Sequence, residues 1–479
     1  MDKSLHSFPR HNRSSAESIW ASRSLSSANT IVLVFLLCIG CSTDQQATSS
    51  EPRKSTALIE QALEKESALS PAEASSTYEE KRRLKASELV SSSELLDGKH
   101  HTVEPEVRTD GFTNTYTIIS DYGTFVAHGD AMLPIRVHEI NTIATLKELP
   151  ARTGYLGGLA GSLTRPFRGA WDFIKDPVDT VAGIPKGGYR WYTRVKEMVR
   201  GKRGEMEDTY AEEMIGFGQS KREWAYNLKV NPYTTNTVLQ EELNTAAWAS
   251  LAGNYTVTIA TIPIGGVASL ALSTTKTAKN MEIVLRDSSP EDLRTKNRKK
   301  LEDMHIEKPV IKQFLENPWF NPWNETILIE AMAKLNDVEN KTAFFEVAVE
   351  AESEEEAFFF QRMAEMLLGY HEFVTPGKEI LVVDKIPLLY TKDQRLVFTV
   401  ELDYGWWSKE TDLISDLILN FSPPNHPITK REVWISGRFS PRAKAELEQR
   451  GWKVEESAVQ KLVVRRELRD KTFKIMNDD

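Results

Sequence analysis

The stretch REVWISGRFSPRAKAELEQRGWKVE, residues 431–455, decides one part of the fold. After Glu432 it is apolar through Ile435, which is typical of a short buried strand. The next segment, 442–450, has the composition of a helix: Ser440 and Pro441 are suited to its start, and a glycine follows its end. Residues 452–455 return as a strand. The pattern therefore predicts a strand–helix–strand unit.

The loop of this unit is a candidate anion site. Ser436, Gly437, Arg438 and Ser440 stand between the first strand and the start of the helix, where free backbone N–H groups and the helix dipole favour negative charge. The same residues also form an ordinary helix start, with Ser440 as N-cap and Arg438 paired with a nearby carboxylate. Both interpretations fit the sequence. They differ in the Arg438 side chain, which would point into a cleft in an anion site and would pair with a carboxylate in a structural role.

On the N-terminal side of this unit, the spacing of the apolar residues first fits short strands and, further upstream, fits helices. Short strand-like runs at 379–383, 386–390 and 396–402 and a helix over 410–421 place it in a small α/β domain, 377–470, followed by a tail, 471–479. Residues 286–376 have helical periodicity and predict a helical bundle. Its capping signals include Ser289 before Pro290, and the acidic triplet Glu354–Glu356 falls in the first turn of a helix, where carboxylates are expected.

Further upstream, residues 111–150 predict a β-hairpin followed by a helix. Alternating runs at 115–119 and 124–127 flank a glycine-containing turn, and apolar residues then recur at helical spacing to about Leu149. The expected fold class is α+β, with a mainly helical central region, an N-terminal β-hairpin and a small C-terminal α/β sheet unit.

The N-terminal 40 residues have the features of a signal peptide. The apolar run IVLVFLLCIG, residues 31–40, follows four basic side chains and ends directly before Cys41. It is too short to span a bilayer and has the length of a signal-peptide core. This arrangement resembles the signal of bacterial lipoproteins, although Cys38 stands where leucine is commonest. The resemblance implies cleavage before Cys41 and lipidation, including palmitate, on its thiol.

Ser42 follows the cysteine, and by resemblance to Gram-negative lipoproteins this implies sorting to the outer membrane, facing either the periplasm or the exterior. An uncleaved anchor and a plain secretory signal are the alternatives. Cleavage would leave 56 basic and 67 acidic residues, a net charge of −11, which argues against nucleic acid as a partner. The mature chain would hold Cys41 alone and therefore no internal disulfide.

Three further segments have unusual compositions. Residues 41–110 are rich in Ser, Thr, Ala and Glu and predict a disordered tether, with His100 and His101 in a solvated loop. Residues 151–204 hold eleven basic and four acidic side chains among glycines and aromatics, a composition suited either to an anionic membrane surface or to docking on the main domain. Residues 205–285 contain a predicted helix and a stretch, 243–275, without any charged residue. This stretch is either buried core or a hydrophobic hairpin that inserts into a membrane.

The common catalytic motifs are missing from the sequence. There is no GxSxG, phosphate-binding loop, GxGxxG or HExxH, and His138-Glu139 and His371-Glu372 lack a second histidine. No cofactor or metal site is indicated. An enzyme remains one of the alternatives, and the sequence indicates no reaction class for it.

The phrases NPYTTN at 231–236 and SGRFSPRAKAEL at 436–447, with segments at 289–294, 314–322 and 352–372, resemble an uncharacterised family of bacterial secreted proteins. The resemblance extends from about Phe112 to Glu455 and implies no activity. The expected function is that of a lipid-anchored envelope protein with a structural or binding role, whose partner is an unknown envelope protein. The alternatives are a membrane-perturbing protein that uses 151–204 and 243–275, and an enzyme or ligand-binding protein with its site in the C-terminal unit.

Overall fold

The computed structural model describes residues 77–80, 83–153, 216–251, 275–463 and 465. The predicted signal peptide, Cys41, most of the basic segment 151–204, the apolar residues 252–274 and the tail 471–479 lie outside the described residues. The described part contains a six-stranded sheet, a five-stranded sheet, a two-stranded sheet and a set of helices, and the predicted α+β class is confirmed.

The N-terminal unit is a six-stranded antiparallel sheet with two helical turns and one long helix. Its elements are β1 Leu84–Lys85, α1 Ala86–Leu89, α2 Ser93–Leu96, β2 Asp97–Gly98, β3 His101–Val103, β4 Glu106–Thr109, β5 Asn114–Ser120, β6 Gly123–His128 and α3 Met132–Thr153. Strands β5 and β6 pair antiparallel from Thr115–His128 to Ser120–Gly123, which confirms the predicted hairpin.

The prediction of a disordered tether through residue 110 is wrong for the part that is described. Strands β1 to β4 add to the hairpin, and His101, Val103 and Val107 are buried against it. His101 was predicted in a solvated loop, but it lies on β3 with Nε2 3.1 Å from the Leu95 carbonyl oxygen. The segment carries little apolar area of its own, and Tyr116 and Ile118 of β5 supply the surface on which it becomes buried.

The central region is helical, as predicted. Its helices are α4 Phe217–Leu228, α5 Thr237–Leu251, α6 Thr275–Asp287, α7 Pro290–Asp303, α8 Lys308–Leu315, α9 Pro322–Ala333, α10 Lys341–Ala348 and α11 Glu354–Phe373. Ser289 caps α7 by accepting a hydrogen bond from the Asp292 amide at 3.2 Å. The long helix α11 packs on α9 and on the C-terminal sheet, and the bundle and that sheet share one hydrophobic core.

The C-terminal unit is a five-stranded mixed sheet in the order β13-β11-β9-β8-β7. Its elements are β7 Gly377–Val383, β8 Ile386–Thr391, β9 Arg395–Val400, β10 Tyr404–Gly405, α12 Lys409–Asn420, β11 Lys430–Ile435, β12 Arg438–Phe439, α13 Pro441–Gln449 and β13 Trp452–Glu455. Strands β9, β11 and β13 are parallel, while β7, β8 and β9 pair antiparallel. The predicted strand–helix–strand unit is β11–α13–β13.

Strand β11 lies between β13 and β9 in this sheet and is buried on both faces. Val433, Trp434 and Ile435 are at most 4% exposed, which is the continuous apolar pattern of a parallel central strand. Glu432 is also fully buried, and it accepts hydrogen bonds from Arg395 Nη1 and Trp434 Nε1, both at 3.0 Å. Because β9, β11 and β13 are parallel, their carboxyl ends meet at one edge of the sheet, and the loops that follow them lie side by side.

Candidate functional site

A cleft of about 430 Å³ opens at the carboxyl ends of the three parallel strands. This edge of an α/β sheet is where ligands bind in folds of this kind. The loops after β9, β11 and β13 form one side, and the start of α3, helix α11 and the residues after α1 form the other. The lining residues are Leu89, Ser91, Asp130, Ala131, Pro134, Ile135, Phe358, Arg362, Glu401, Asp403, Ser436, Gly437, Arg438, Ser457, Val459 and Gln460.

Asp403, in the loop after β9, joins the two units that form the cleft. Its Oδ2 accepts a hydrogen bond from the Asn114 amide at 2.7 Å, and its Oδ1 accepts one from the Asp130 amide at 2.9 Å. The side chain fixes the start of β5 and the turn before α3 against the C-terminal sheet. Burial and the negative charge of Asp130 hold the pKa of Asp403 well above its ordinary value.

Asp130 is the second carboxylate of the cleft. Its Oδ1 accepts hydrogen bonds from Asn114 Nδ2 at 2.8 Å and from the Tyr116 hydroxyl at 2.5 Å. Burial raises the pKa of Asp130, and these two hydrogen bonds and the Arg438 guanidinium oppose the rise. The hydroxyl and amide donors keep the carboxylate in one orientation at the edge of the cleft.

The floor contains a third carboxylate, Glu401, beside the buried guanidinium of Arg362. Arg362 Nη1 donates to Glu365 at 3.0 Å, while its Nε lies 3.5 Å from Glu401 Oε2. These last two atoms are buried, and neither makes a hydrogen bond within the described residues. Burial raises the pKa values of Glu365 and Glu401, and Arg362 opposes the rise in both. The floor thus consists of the charged side chains of Arg362, Glu365 and Glu401, of which Arg362 Nε and Glu401 Oε2 make no hydrogen bond within the described residues.

The loop after β11, which the sequence analysis marked as a candidate anion site, lines the cleft with Ser436, Gly437 and Arg438. The Gly437 amide donates to the Leu402 carbonyl at 2.8 Å, and the Arg438 amide donates to the Asp403 carbonyl at 3.0 Å. The Ser436 hydroxyl also donates to Leu402, at 2.8 Å. A Cβ atom at position 437 would overlap the Asp403 backbone, so the close approach of the two loops requires glycine there.

The four residues predicted as an anion site do not form one pocket. Ser440 lies apart from the cleft; it caps α13 by accepting from the Ala443 amide at 2.9 Å, which confirms its predicted N-cap role. Its hydroxyl donates to the carboxylate of Glu79, which also accepts from the Trp407 amide at 2.7 Å. The chain's own carboxylate thus occupies the place beside Ser440 that the sequence analysis assigned to a bound anion.

Arg438 lies at the rim of the cleft. One guanidinium nitrogen donates to the Glu88 carbonyl at 3.1 Å, and the group lies 5.5 Å from the centre of the Tyr404 ring. It lines the cleft and makes no ion pair within the described residues, and its charge acts on Asp130. The sequence analysis identified Arg438 and missed Asp130, Arg362, Glu401 and Asp403. Glu401 lies near the end of the strand predicted over 396–402 and Asp403 directly follows it, and that position was the available signal.

A second polar group involves the phrase NPYTTN. Glu139 of α3 is 2% exposed and accepts hydrogen bonds from Thr234 Oγ1 at 2.5 Å, Asn236 Nδ2 at 3.1 Å and Arg136 Nη1 at 2.8 Å. These contacts attach the segment before α5 to α3. Because the group satisfies itself, its role is structural.

The described residues bear on two further expectations. They contain no cluster of three or more His, Cys, Asp or Glu side chains that could hold a metal ion. Within the same ranges, none of the helices has the length and apolarity that a membrane crossing needs.

The chain matches no protein-family model. Comparison with curated proteins and with solved structures also found no match.

Proposed function

We propose that the protein is a lipid-anchored envelope protein whose body binds a small polar ligand in the cleft at the ends of β9, β11 and β13. The observation that carries the binding role is the convergence of three strand loops and α3 on one cleft with charged side chains at its floor. Its volume of about 430 Å³ is within the range of sites for small molecules. The anchoring role rests on the sequence around Cys41.

Lipidation is tested with radiolabelled palmitate. The full chain is expressed in a Gram-negative host as wild type, Cys41→Ser and Cys38→Ser. We expect label in the wild type and in Cys38→Ser and none in Cys41→Ser, because Cys41 alone follows the proposed cleavage point. Equal labelling of all three chains, or labelling of none, would refute the anchor.

Binding in the cleft is tested by thermal shift with the full chain in detergent and a panel of small cationic, anionic and neutral compounds. Ser91 lines the cleft and is exposed, so Ser91→Trp fills the opening with little expected effect on folding. Ser92, also exposed, does not line it, and Ser92→Trp is the matched control. We expect compounds that stabilise the wild type and Ser92→Trp but not Ser91→Trp. A panel without effect on the wild type, or with equal effects on both variants, contradicts a binding role.

A membrane-perturbing role through 151–204 and 243–275 is a second proposal. The observation in its favour is the end of α5, where Trp248 and Leu251 remain 49% and 40% exposed. Leakage of dye from anionic vesicles on addition of the protein measures it. Leakage that Trp248→Ser reduces supports insertion, and vesicles that stay intact at every anionic lipid fraction exclude it.

A further inference from the structure

The charges of the cleft are unbalanced. Asp130, Glu401 and Asp403 line it, and Glu365 supports its floor, against the two guanidinium groups of Arg362 and Arg438. The raised pKa of Asp403 favours its neutral form, and the three remaining carboxylates still outnumber the two guanidinium groups by one. Buried negative charge in excess of the positive charge nearby is costly, and a bound cation would offset that cost.

The hydrogen-bonding atoms of the cleft also suit a cation. The amides of the β11 loop donate to the carbonyls of Leu402 and Asp403, so they are not arranged around a bound anion. Glu401 Oε2, in contrast, is a buried acceptor that lies 3.5 Å from Arg362 Nε and makes no hydrogen bond within the described residues. A ligand that donates N–H groups would complete the hydrogen bonding of this carboxylate.

The shape of the cleft indicates an organic ligand. Its volume of about 430 Å³ far exceeds that of a metal ion, and Leu89, Pro134, Ile135 and Phe358 give it an apolar wall. Within the described residues no cluster is arranged to coordinate a metal. A charged head with a carbon skeleton would contact both the carboxylates and this wall.

We infer that the cleft binds a small organic cation, an amine or guanidinium compound, with its charged nitrogen beside Asp130 and Glu401 and its apolar part against Ile135 and Phe358. This inference rests on the binding role proposed above and specifies the ligand's chemistry. The carboxylates are held before binding: Asp130 by Tyr116 and Asn114, and Glu401 beside Arg362. Such preorganisation favours affinity because little ordering remains to be done on binding.

The inference is tested with named probes on the full chain in detergent. Agmatine and putrescine represent organic cations, calcium the metal alone, and phosphate an anion. Thermal shift and calorimetry are measured for the wild type, Asp130→Asn and Asp303→Asn. Asparagine retains an acceptor for Tyr116 but removes one charge from the cleft, whereas Asp303 lies exposed on α7. We expect agmatine or putrescine to bind the wild type and Asp303→Asn, and at least tenfold more weakly to Asp130→Asn.

If Asp130→Asn does not fold, Ser91→Trp and Ser92→Trp replace the pair, and loss of agmatine or putrescine binding in Ser91→Trp alone is the expected result. The inference is overturned if neither organic cation binds, if calcium or phosphate alone stabilises the protein, or if the cleft variants bind the cations like the wild type. A neutral or anionic panel compound that Ser91→Trp excludes would leave the binding role intact and refute only the cationic ligand. A panel with no binder at all would refute both.

Discussion

Substitution of Ser440 by alanine tests whether Glu79 is fastened to the start of α13. The hydroxyl accepts from the Ala443 amide at 2.9 Å and donates to the Glu79 carboxylate, and Ser440 is 1% exposed. Loss of the cap costs about 1 kcal/mol. Loss of a hydrogen bond to a charged group adds about 1.5 kcal/mol, at the low end of its range because Glu79 is partly exposed. We therefore expect Ser440→Ala to lower the free energy of unfolding by about 2.5 kcal/mol.

Ser289 provides a matched control for this measurement. It also precedes a proline and caps a helix, α7, by accepting from the Asp292 amide. Ser289→Ala should cost about 1 kcal/mol, the value of the cap. Urea unfolding followed by tryptophan fluorescence measures both variants.

The contribution of Glu79 is isolated with a double-mutant cycle of Ser440→Ala and Glu79→Ala. We expect an interaction energy of about 1 to 1.5 kcal/mol between the two positions. Equal losses for Ser440→Ala and Ser289→Ala, together with additive effects of Ser440→Ala and Glu79→Ala, would show that the carboxylate does not stabilise this junction.

Three further predictions concern the cleft and the polar group on α3. Gly437→Ala should cost about 3 kcal/mol or more in urea unfolding, because the new Cβ overlaps the Asp403 backbone; a neutral result would show that the two loops can separate. The native pKa of Asp403 lies above its ordinary value of 3.8, so the native state binds this proton more tightly than the unfolded chain does. The free energy of unfolding should therefore fall as the pH rises from 3.8 through the native pKa. Asp130→Asn removes a repelling charge and should reduce this fall in urea titrations from about pH 4 to about pH 8; an identical pH dependence in both proteins would contradict the coupling. Glu139→Ala should lower the free energy of unfolding by about 3 kcal/mol, because Arg136 would keep only its ion pair with Glu354 and the Thr234 hydroxyl would lose its acceptor. Thermal unfolding no different from that of the wild type would show that the group is dispensable.

The local elements of the C-terminal unit could be predicted because their signals are local. The apolar run before Ser436, the Ser-Pro start of α13 and the glycine at 451 specify a strand, a helix start and a helix end through backbone sterics and capping. The hairpin of β5 and β6 was predictable for the same reason, since its turn and its alternation lie within fifteen residues of each other.

The residues before 110 show where composition misleads. Their low apolar content predicted disorder, yet β3 and β4 pair with β5, whose aromatic and aliphatic side chains cover them. These strands are stabilised by pairing with β5, which lies later in the chain. The composition of the residues before 110 takes no account of that partner strand.

The sequence by itself determined the strand–helix–strand unit, the cap at Ser440, the α+β class and the candidate lipidation residue, all of which depend on neighbours a few positions apart. Only the tertiary structure decided that Asp130 and Asp403, 273 positions apart, meet in one cleft, and that Glu79 reaches Ser440 across 361 positions. Contacts of this kind arise because parallel strands bring their carboxyl ends to a common edge and because a second unit packs against that edge. A single sequence records which residues can make such contacts, while the packing of the two units decides which of them do.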